Sequence, residues 1–202
     1  MNKKAVLGGV AVIVAAVVAF GVYKVIRIRA EAARWSGPMK EIVSEHITHD
    51  EGVTQVRFVS LIGAPIEAVQ RALWDVENSQ NTVENIKTSK LLQSKGNTKL
   101  MDMTIQALTL PPLNYEMEFT LYPTEHRIAF KTVKSQAQDI QGEYQLQASP
   151  DDTKTRLVYT STLHDKVAMP FPQSVLDSAN RETYVNTVRG IEKSIKQGEA
   201  KG

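Results

Sequence analysis

The sequence contains no cysteine, and this absence excludes several classes of function. Disulfide scaffolds, cysteine-ligated zinc sites, iron–sulfur clusters and cysteine nucleophiles all require thiols. Aromatic residues make up only 6% of the 202 residues, and the 11 glycines and 8 prolines are scattered along the chain. Collagen-like and low-complexity chains are therefore excluded, and the hydrophobic fraction of 42% is typical of a globular domain.

The excess of basic over acidic residues is confined to the first 35 residues. Residues 1–35 hold six Lys or Arg and one Glu, a formal charge of +5, whereas the whole chain carries +2. The remaining residues carry 18 basic and 21 acidic side chains, a formal charge of −3. Because nucleic-acid affinity comes largely from basic groups that contact phosphates, we expect no nucleic-acid partner.

One long apolar run, residues 5–23, follows a basic tail at residues 1–4. Nineteen residues of helix rise about 28 Å, close to the roughly 30 Å hydrocarbon thickness of a bilayer. A cleaved signal peptide is the alternative, but the run exceeds the usual apolar core of such peptides, and Lys24 and Arg27 follow closely. We therefore expect a transmembrane helix over residues 5–23, with the lipid bilayer as a partner, in a single-pass protein of a bacterial inner membrane.

The side of the membrane that holds the rest of the chain stays open. Two lysines precede the run and four basic residues follow it before residue 35, a count that leans towards a cytoplasmic domain without deciding it. Residues 24–52 are polar and contain the helix breaker Ser36-Gly37-Pro38. We expect them to form a tether, followed by a domain at residues 53–197 and a tail at 198–202.

Apolar and polar residues alternate with period two from Val53 onward, which predicts strands with one buried face. The clearest case is residues 139–148, where Ile140, Tyr144 and Leu146 alternate with acidic and amide side chains. Short turn signals between the runs indicate antiparallel neighbours. The pattern predicts about seven strands, at residues 53–62, 87–93, 100–107, 115–121, 127–133, 139–148 and 156–163.

Two segments have helical periodicity instead. Residues 65–78 begin with Pro65 and carry apolar residues at spacings of three and four, and residues 172–197 form a much longer segment that Gly198 ends. An antiparallel sheet must cover its apolar face, and only the terminal helix is long enough. The sequence therefore predicts an α+β fold in which a curved antiparallel sheet grips a long C-terminal helix.

The first strand and first helix resemble the opening of START-like (SRPBCC) proteins, the helix-grip superfamily that includes polyketide cyclases and coenzyme Q-binding proteins. The resemblance lies in Ile62-Gly63-Ala64-Pro65, which leads into a helix with Leu73-Trp74-Asp75. The order of elements agrees over residues 53–197. Many relatives carry an aromatic-Pro-x-Trp segment after this helix, whereas residues 78–84 here contain neither an aromatic residue nor proline.

The resemblance implies a cavity between the sheet and the long helix that binds a hydrophobic small molecule, such as a lipid-, quinone- or polyketide-like compound. Methionine and tyrosine on the inner strand faces suit such a wall, since methionine adapts to irregular shapes and tyrosine adds a polar tip. The same residues could instead fill a solid core, and composition does not separate the two readings. The candidate cavity residues are Trp74, Met101, Met103, Met117, Phe119, Tyr144, Tyr159 and Leu176.

No residue pattern predicts a catalytic site, a metal or a cofactor. The chain has no Gly-rich phosphate loop placed after a strand and no Gly-x-Ser-x-Gly elbow. His46 and His49 could approach one metal, but no pattern supplies the remaining ligands. Asp75 and Glu77 stand near a helix C-terminus, where the dipole disfavours carboxylates, which indicates a role or a simple ion pair.

Three functions follow from the sequence. The first is a membrane-tethered binding or carrier domain for the hydrophobic small molecule. The second is a polyketide cyclase or aromatase that uses Tyr144 and Tyr159 as acids, and the third is an interaction domain that binds no ligand. The sequence favours the first, because the predicted inner faces hold few titratable groups other than tyrosines.

Overall fold

The computed structural model describes Tyr23 and residues 33–199. The chain divides into two compact units, Met1–Pro38 and Met39–Gly202. In the first unit, residues 33–35 are helical. The basic tail at residues 1–4 and the transmembrane helix expected at residues 5–23 lie outside the described residues, apart from Tyr23. The second unit holds the sheet and the cavity.

The second unit is built on a sheet of eight antiparallel strands, ordered β1-β2-β8-β7-β6-β5-β4-β3. Strands β3 to β8 form a meander in which each strand pairs with the next one along the chain. The last strand, β8, also pairs with β2, so the end of the meander joins the first hairpin. The strands are β1 (Ser44–Asp50), β2 (Val53–Ile62), β3 (Ile86–Lys95), β4 (Thr98–Ile105), β5 (Leu113–Tyr122), β6 (Arg127–Ser135), β7 (Gln138–Ala148) and β8 (Thr155–Asp165).

Strand β1 was not predicted, and it lies within residues 24–52, the segment expected to be a tether. It is an edge strand in which only Ile47 is half-buried and the other residues are exposed. An exposed edge strand needs no apolar alternation, so the pattern that reveals a strand is missing from it. The turn into β2 consists of Glu51 and Gly52, with φ of 40° and 82°, the left-handed conformations that a two-residue hairpin requires.

Three helices accompany the sheet: α1 (Ile66–Trp74), α2 (Ser79–Thr82) and α3 (Gln173–Glu199). The helix expected at residues 65–78 therefore ends at Trp74, and a 3₁₀ turn, Val76–Asn78, follows it. The Trp74 carbonyl oxygen accepts a hydrogen bond from Lys99 Nζ at 2.9 Å, so a side chain of β4 satisfies the end of the helix.

The apolar core lies on one face of the sheet and forms two clusters. The first joins β2, α1, β7, β8 and α3, with Phe58 and Leu157 fully buried at its centre. The second covers β4, β5 and β6 around Met101 and Ile128. Alternate strand residues point to opposite faces, and the other face carries mainly polar side chains, with Val59 and Leu61 of β2 as buried apolar exceptions. The α+β fold with a long C-terminal helix is confirmed, with eight strands rather than the predicted seven.

The predicted localisation needs correction. Among the described residues, no helix has the length and apolarity that crossing a membrane demands. The one helix of sufficient length there is α3, with 27 residues, and it carries charged side chains such as Asp177, Arg181 and Glu192 along its length. This finding contradicts the predicted localisation, which was a single-pass protein of a bacterial inner membrane.

Candidate functional site

A cavity of about 210 Å³ lies between the sheet and α3. Inward-facing residues of β4 to β8 form its sheet-side wall, which is apolar except for tyrosine hydroxyls and one amide. This wall consists of Met103, Ile105, Leu113, Tyr115, Met117, Phe119, Phe130, Gln138, Ile140, Tyr144, Tyr159 and Leu163. Small-molecule sites are typically concave and mostly apolar, with a few polar groups, and this wall has that composition.

The opposite wall of the cavity is more polar. Helix α3 contributes Asn180, Thr183 and Thr187 to it, at spacings of three and four residues that place them on one helix face. The segment between α1 and β3 contributes Ser79 and Asn85. The cavity therefore has an apolar side on the strands and a polar side on α3 and the segment that precedes β3.

Five of the eight predicted cavity residues line this cavity. They are Met103, Met117, Phe119, Tyr144 and Tyr159.

The other three predicted residues lie outside the lining. Met101 is fully buried in the apolar cluster of β4 to β6, and Trp74 packs against the same cluster. Leu176 is half-buried in α3. Contact of any of the eight with a ligand stays a prediction.

An aromatic cluster occupies the interior beside the cavity. The ring centroids of Tyr144 and Tyr159 are 5.1 Å apart, and those of Tyr159 and Tyr184 are 5.5 Å apart. Phe130 stacks on Tyr159 with a centroid distance of 5.8 Å. These separations are those of packed aromatic pairs. The tyrosines of the inner face thus fill part of the core and also line the cavity, and their packing limits its size.

The tyrosines of this region remain protonated at neutral pH. Burial raises the pKa of Tyr144 well above its ordinary value, and the neighbouring Tyr159 and Tyr184 raise it further. Burial likewise raises the pKa values of Tyr115, Tyr159 and Tyr184. Tyr144 and Tyr159 keep some accessible surface because they line the cavity, but the protein atoms around them disfavour the charged form. Their hydroxyls act as neutral hydrogen-bond groups.

The polar residues of the cavity were missed by the sequence analysis. Asn180, Thr183 and Thr187 share the helical spacing of the apolar stripe with Tyr184 and Val188. A solvated face of an amphipathic helix has the same spacing, so the sequence does not distinguish such a face from a cavity wall. For Ser79 and Asn85 no such periodicity exists, because they lie in the irregular segment between α1 and β3.

The histidines considered for a metal site do not converge. His46 and His49 are three positions apart in β1, so they point to opposite faces of the sheet. His49 Nε2 lies 3.2 Å from Asp177 Oδ1 in α3, and His46 lies on the polar face. The part of the chain that the structure describes contains no cluster of three or more His, Asp or Glu side chains that could hold a metal ion.

A wider concave region of about 630 Å³ lies on the opposite, polar face of the sheet. Its walls carry exposed or half-buried polar side chains, among them Gln55, Arg57 and Glu143. Lys131 and Glu118 form an ion pair there, with 2.9 Å between Nζ and Oε1. Solvated charged walls of this kind suit a small apolar molecule poorly. The cavity between the sheet and α3 is therefore the candidate site.

Solved structures with a similar fold include the Zhui aromatase/cyclase from Streptomyces sp. R1128, with a TM-score of 0.64 and 15% identity, over 74% of this chain and 98% of that one. A STAR-related lipid transfer protein from Xanthomonas axonopodis has a TM-score of 0.56 and 14% identity, over 76% and 99% of the two chains. A START superfamily protein from Mycobacterium smegmatis has a TM-score of 0.56 and 15% identity, over 71% and 97%.

No protein-family model matches the sequence. No curated protein matches it either. These three structures, at 14–15% identity, show that the chain has the helix-grip fold of START-like proteins, as its residue pattern predicted. At this level of identity the likeness concerns the fold, and function must be argued from the cavity itself.

Proposed function

We propose that this protein binds a hydrophobic small molecule in the cavity between the sheet and α3, as a carrier, chaperone or sensor. The cavity of about 210 Å³, enclosed between an apolar strand wall and a helix, is the observation that carries the proposal. The proposed binding domain consists of residues 53–197, the range that the sequence predicts, together with the edge strand β1 (Ser44–Asp50). The fold neighbours support it, because they include an aromatase/cyclase and a lipid transfer protein.

The volume sets the size of the ligand. A cavity of about 150 Å³ holds benzene, whereas sites for drug-sized compounds measure roughly 300–1,000 Å³. At about 210 Å³ the cavity suits a compound of one or two rings, or one such portion of a larger molecule. Among the lipid-, quinone- and polyketide-like classes, a compact ring system therefore fits better than a long acyl chain.

The charge of the lining sets the charge of the ligand. No Lys, Arg or His occurs among the described residues that line the cavity, and Asp75 is the lining carboxylate. Asp75 Oδ1 already accepts a hydrogen bond from Asn78 Nδ2 at 2.8 Å. A buried anion would have no cationic partner here, which is strongly unfavourable, and the Asp75 carboxylate already has a hydrogen-bond partner, so we propose a neutral ligand.

The raised pKa values of the cavity tyrosines weigh against the cyclase alternative. A general acid works best when its pKa lies near the working pH. Burial moves the pKa values of Tyr144 and Tyr159 in the opposite direction, further above neutrality. These hydroxyls are better suited to hold a ligand than to donate a proton to it. The cavity itself likewise weighs against an interaction domain with a solid core.

Binding can be tested with naphthalene, a neutral two-ring probe, by fluorescence titration of the full chain. We expect saturable binding at a single site. Ile140→Phe enlarges a side chain of the cavity wall and should abolish binding. Gln141→Ala is the matched control, because Gln141 is the next residue of β7 and is exposed on the polar face. Absence of saturable binding, or equal binding by the Ile140→Phe variant, would overturn the proposal.

A further inference from the structure

We propose that the polar side of the cavity is an anchoring subsite for a hydroxyl group, so that the ligand is a neutral one- or two-ring compound that carries a hydroxyl. This inference rests on the proposed function and deepens it. Two buried polar side chains that line the cavity, Asn85 and Ser79, carry it.

Of the two polar atoms in the Asn85 amide, only the nitrogen has a hydrogen-bond partner in the described structure. Asn85 is 2% exposed, and its Nδ2 donates a hydrogen bond to Thr183 Oγ1 in α3 at 3.0 Å. Its Oδ1 is buried and has no hydrogen-bond partner among the described residues. The backbone fixes the residue, because its carbonyl oxygen accepts a hydrogen bond from Gln106 N at 2.8 Å. A buried amide oxygen of this kind is normally paired. Because Asn85 is also a lining residue of the cavity, we assign this oxygen to a ligand donor.

Ser79 lines the same cavity, and it too has a buried oxygen without a hydrogen-bond partner in the described structure. It is 9% exposed, and its Oγ is buried without a hydrogen-bond partner in the described structure. Its backbone carbonyl oxygen accepts a hydrogen bond from Val83 N at 2.7 Å, which holds the residue in the short helix α2. The Ser79 hydroxyl can donate or accept, whereas the Asn85 oxygen accepts only.

A hydroxyl is the ligand group that matches both side chains. It can donate to Asn85 Oδ1 and it can accept from Ser79 Oγ, and it would also match Asn85 if the amide were turned with its nitrogen towards the cavity. A carboxylate cannot donate to an amide oxygen, and no cation lines the described walls to neutralise it. An ether or a hydrocarbon leaves the Asn85 oxygen unpaired. The subsite therefore distinguishes alcohols and phenols from acids, ethers and hydrocarbons.

The test compares probes that share one ring system and differ in a single group. They are 2-naphthol, naphthalene, 2-methoxynaphthalene and 2-naphthoate, each titrated calorimetrically into the full chain at pH 6.5. We expect 2-naphthol to bind about 5- to 30-fold more tightly than naphthalene, as one buried hydrogen bond to a previously unpaired group predicts. The ether and the carboxylate should gain nothing over naphthalene.

Two variants test whether the preference for 2-naphthol over naphthalene comes from Asn85 and Ser79. Asn85→Leu keeps the approximate volume and removes the acceptor, and Ser79→Ala removes the second hydroxyl with little change in shape. In each variant the ratio of the 2-naphthol affinity to the naphthalene affinity should fall most of the way to one. Asn114→Leu is the control, because Asn114 is exposed on β5, where its Oδ1 accepts a hydrogen bond from Thr104 Oγ1 at 2.8 Å.

The outcomes separate the two proposals. If naphthalene and 2-naphthol bind the full chain equally well, or if both variants keep the preference, the hydroxyl subsite is wrong and the hydrophobic cavity remains. If none of the four probes binds, the proposed function fails, and the subsite fails with it. Ser79→Ala keeps the test decisive even if Asn85→Leu does not fold.

Discussion

The hydroxyl of Tyr184 in α3 donates a hydrogen bond to Oγ of Ser60 in β2, with 2.6 Å between the two oxygens. Ser60 Oγ donates its only proton to the carbonyl oxygen of Glu41, so it can only accept from the Tyr184 hydroxyl. Tyr184 is 3% exposed and Ser60 is 0% exposed. This buried relay connects the long helix through the sheet to the chain that precedes β1.

Replacing Tyr184 with Phe should lower the free energy of unfolding by about 1 kcal/mol, because one buried hydrogen bond is lost while the Ser60–Glu41 bond remains. Ser60→Ala should lower it by more, about 1–3 kcal/mol, since both the Tyr184 hydroxyl and the Glu41 carbonyl then lose a partner. Urea denaturation of the full chain measures both values. A larger loss for Tyr184→Phe than for Ser60→Ala would reverse the proposed direction of the relay.

The buried tyrosines predict a loss of stability at high pH. Burial raises the pKa values of Tyr115, Tyr144, Tyr159 and Tyr184 in the folded state, whereas an unfolded tyrosine titrates near about 10. The unfolded chain therefore releases these protons first, so the contribution of these tyrosines to the free energy of unfolding is constant below about pH 10 and falls above it.

Absorbance at the phenolate band, recorded as the pH is raised, should show these four residues ionising only when circular dichroism reports unfolding. Tyr159→Phe should reduce the slope of stability against pH in this range. Ionisation of all tyrosines in the intact fold would contradict the prediction.

Lys99 should be a stabilising residue despite its place on the inner face of β4. It is 9% exposed, its Nζ lies 2.5 Å from Glu77 Oε2, and the same ammonium group stands 4.5 Å from the centroid of the Trp74 ring. Lys99→Met removes the donor to the Trp74 carbonyl at the end of α1 and leaves Glu77 without this partner. We expect a loss of about 1–3 kcal/mol in the free energy of unfolding.

The control for Lys99 is Lys131→Met, which breaks the exposed ion pair with Glu118 on the polar face. That pair should contribute at most about 1 kcal/mol, since solvent screens it. Equal effects of the two substitutions in chemical denaturation would show that the Lys99 contacts add nothing beyond a surface ion pair.

Gly142 in β7 is needed because of close packing. A Cβ at this position would overlap the Thr160 carbonyl oxygen of β8 and would lie 2.7 Å from Cζ of Phe130. Gly142→Ala should therefore destabilise the fold by about 1–3 kcal/mol and disturb the aromatic cluster. Gly198→Ala is the matched control, because nothing lies within 4 Å of a Cβ there. Thermal unfolding with near-ultraviolet circular dichroism reads both effects, and an unchanged midpoint for Gly142→Ala would contradict the packing argument.

Elements with a buried face were predictable from the sequence. Strand β7 and helix α3 were found because burial of one face imposes a periodic apolar pattern on the residues. Strand β1 has no buried face and left no such pattern. The break of the first helix at Trp74 depends on Lys99, which follows it by 25 residues, and no local rule anticipates a contact of that range.

The cavity was predictable only in part, for a physical reason. Met103, Met117 and Tyr159 belong to an apolar strand face, and a pattern of burial does not say whether such a face meets other side chains or an open space. The unpaired oxygens of Asn85 and Ser79 are visible only in three dimensions, because an unsatisfied group is defined by its neighbours. The apolar pattern of the strands thus predicts the wall, whereas the space and its polar end depend on how the elements pack.

The pairing of β8 with β2 joins segments that are far apart in the sequence, and this affects how the chain folds during synthesis. Val53 pairs with His164 and Ile62 with Thr155, so about a hundred residues must leave the ribosome before β2 meets this neighbour. Such non-local pairing slows folding, because a long loop is closed before its contacts form. β8 supplies Tyr159 and Leu163 to the sheet-side wall of the cavity, and α3, which follows it, supplies part of the opposite wall. The cavity is therefore completed only after β8 and α3 have been synthesised, and a nascent chain that stalls before β8 lacks both of these parts of its lining.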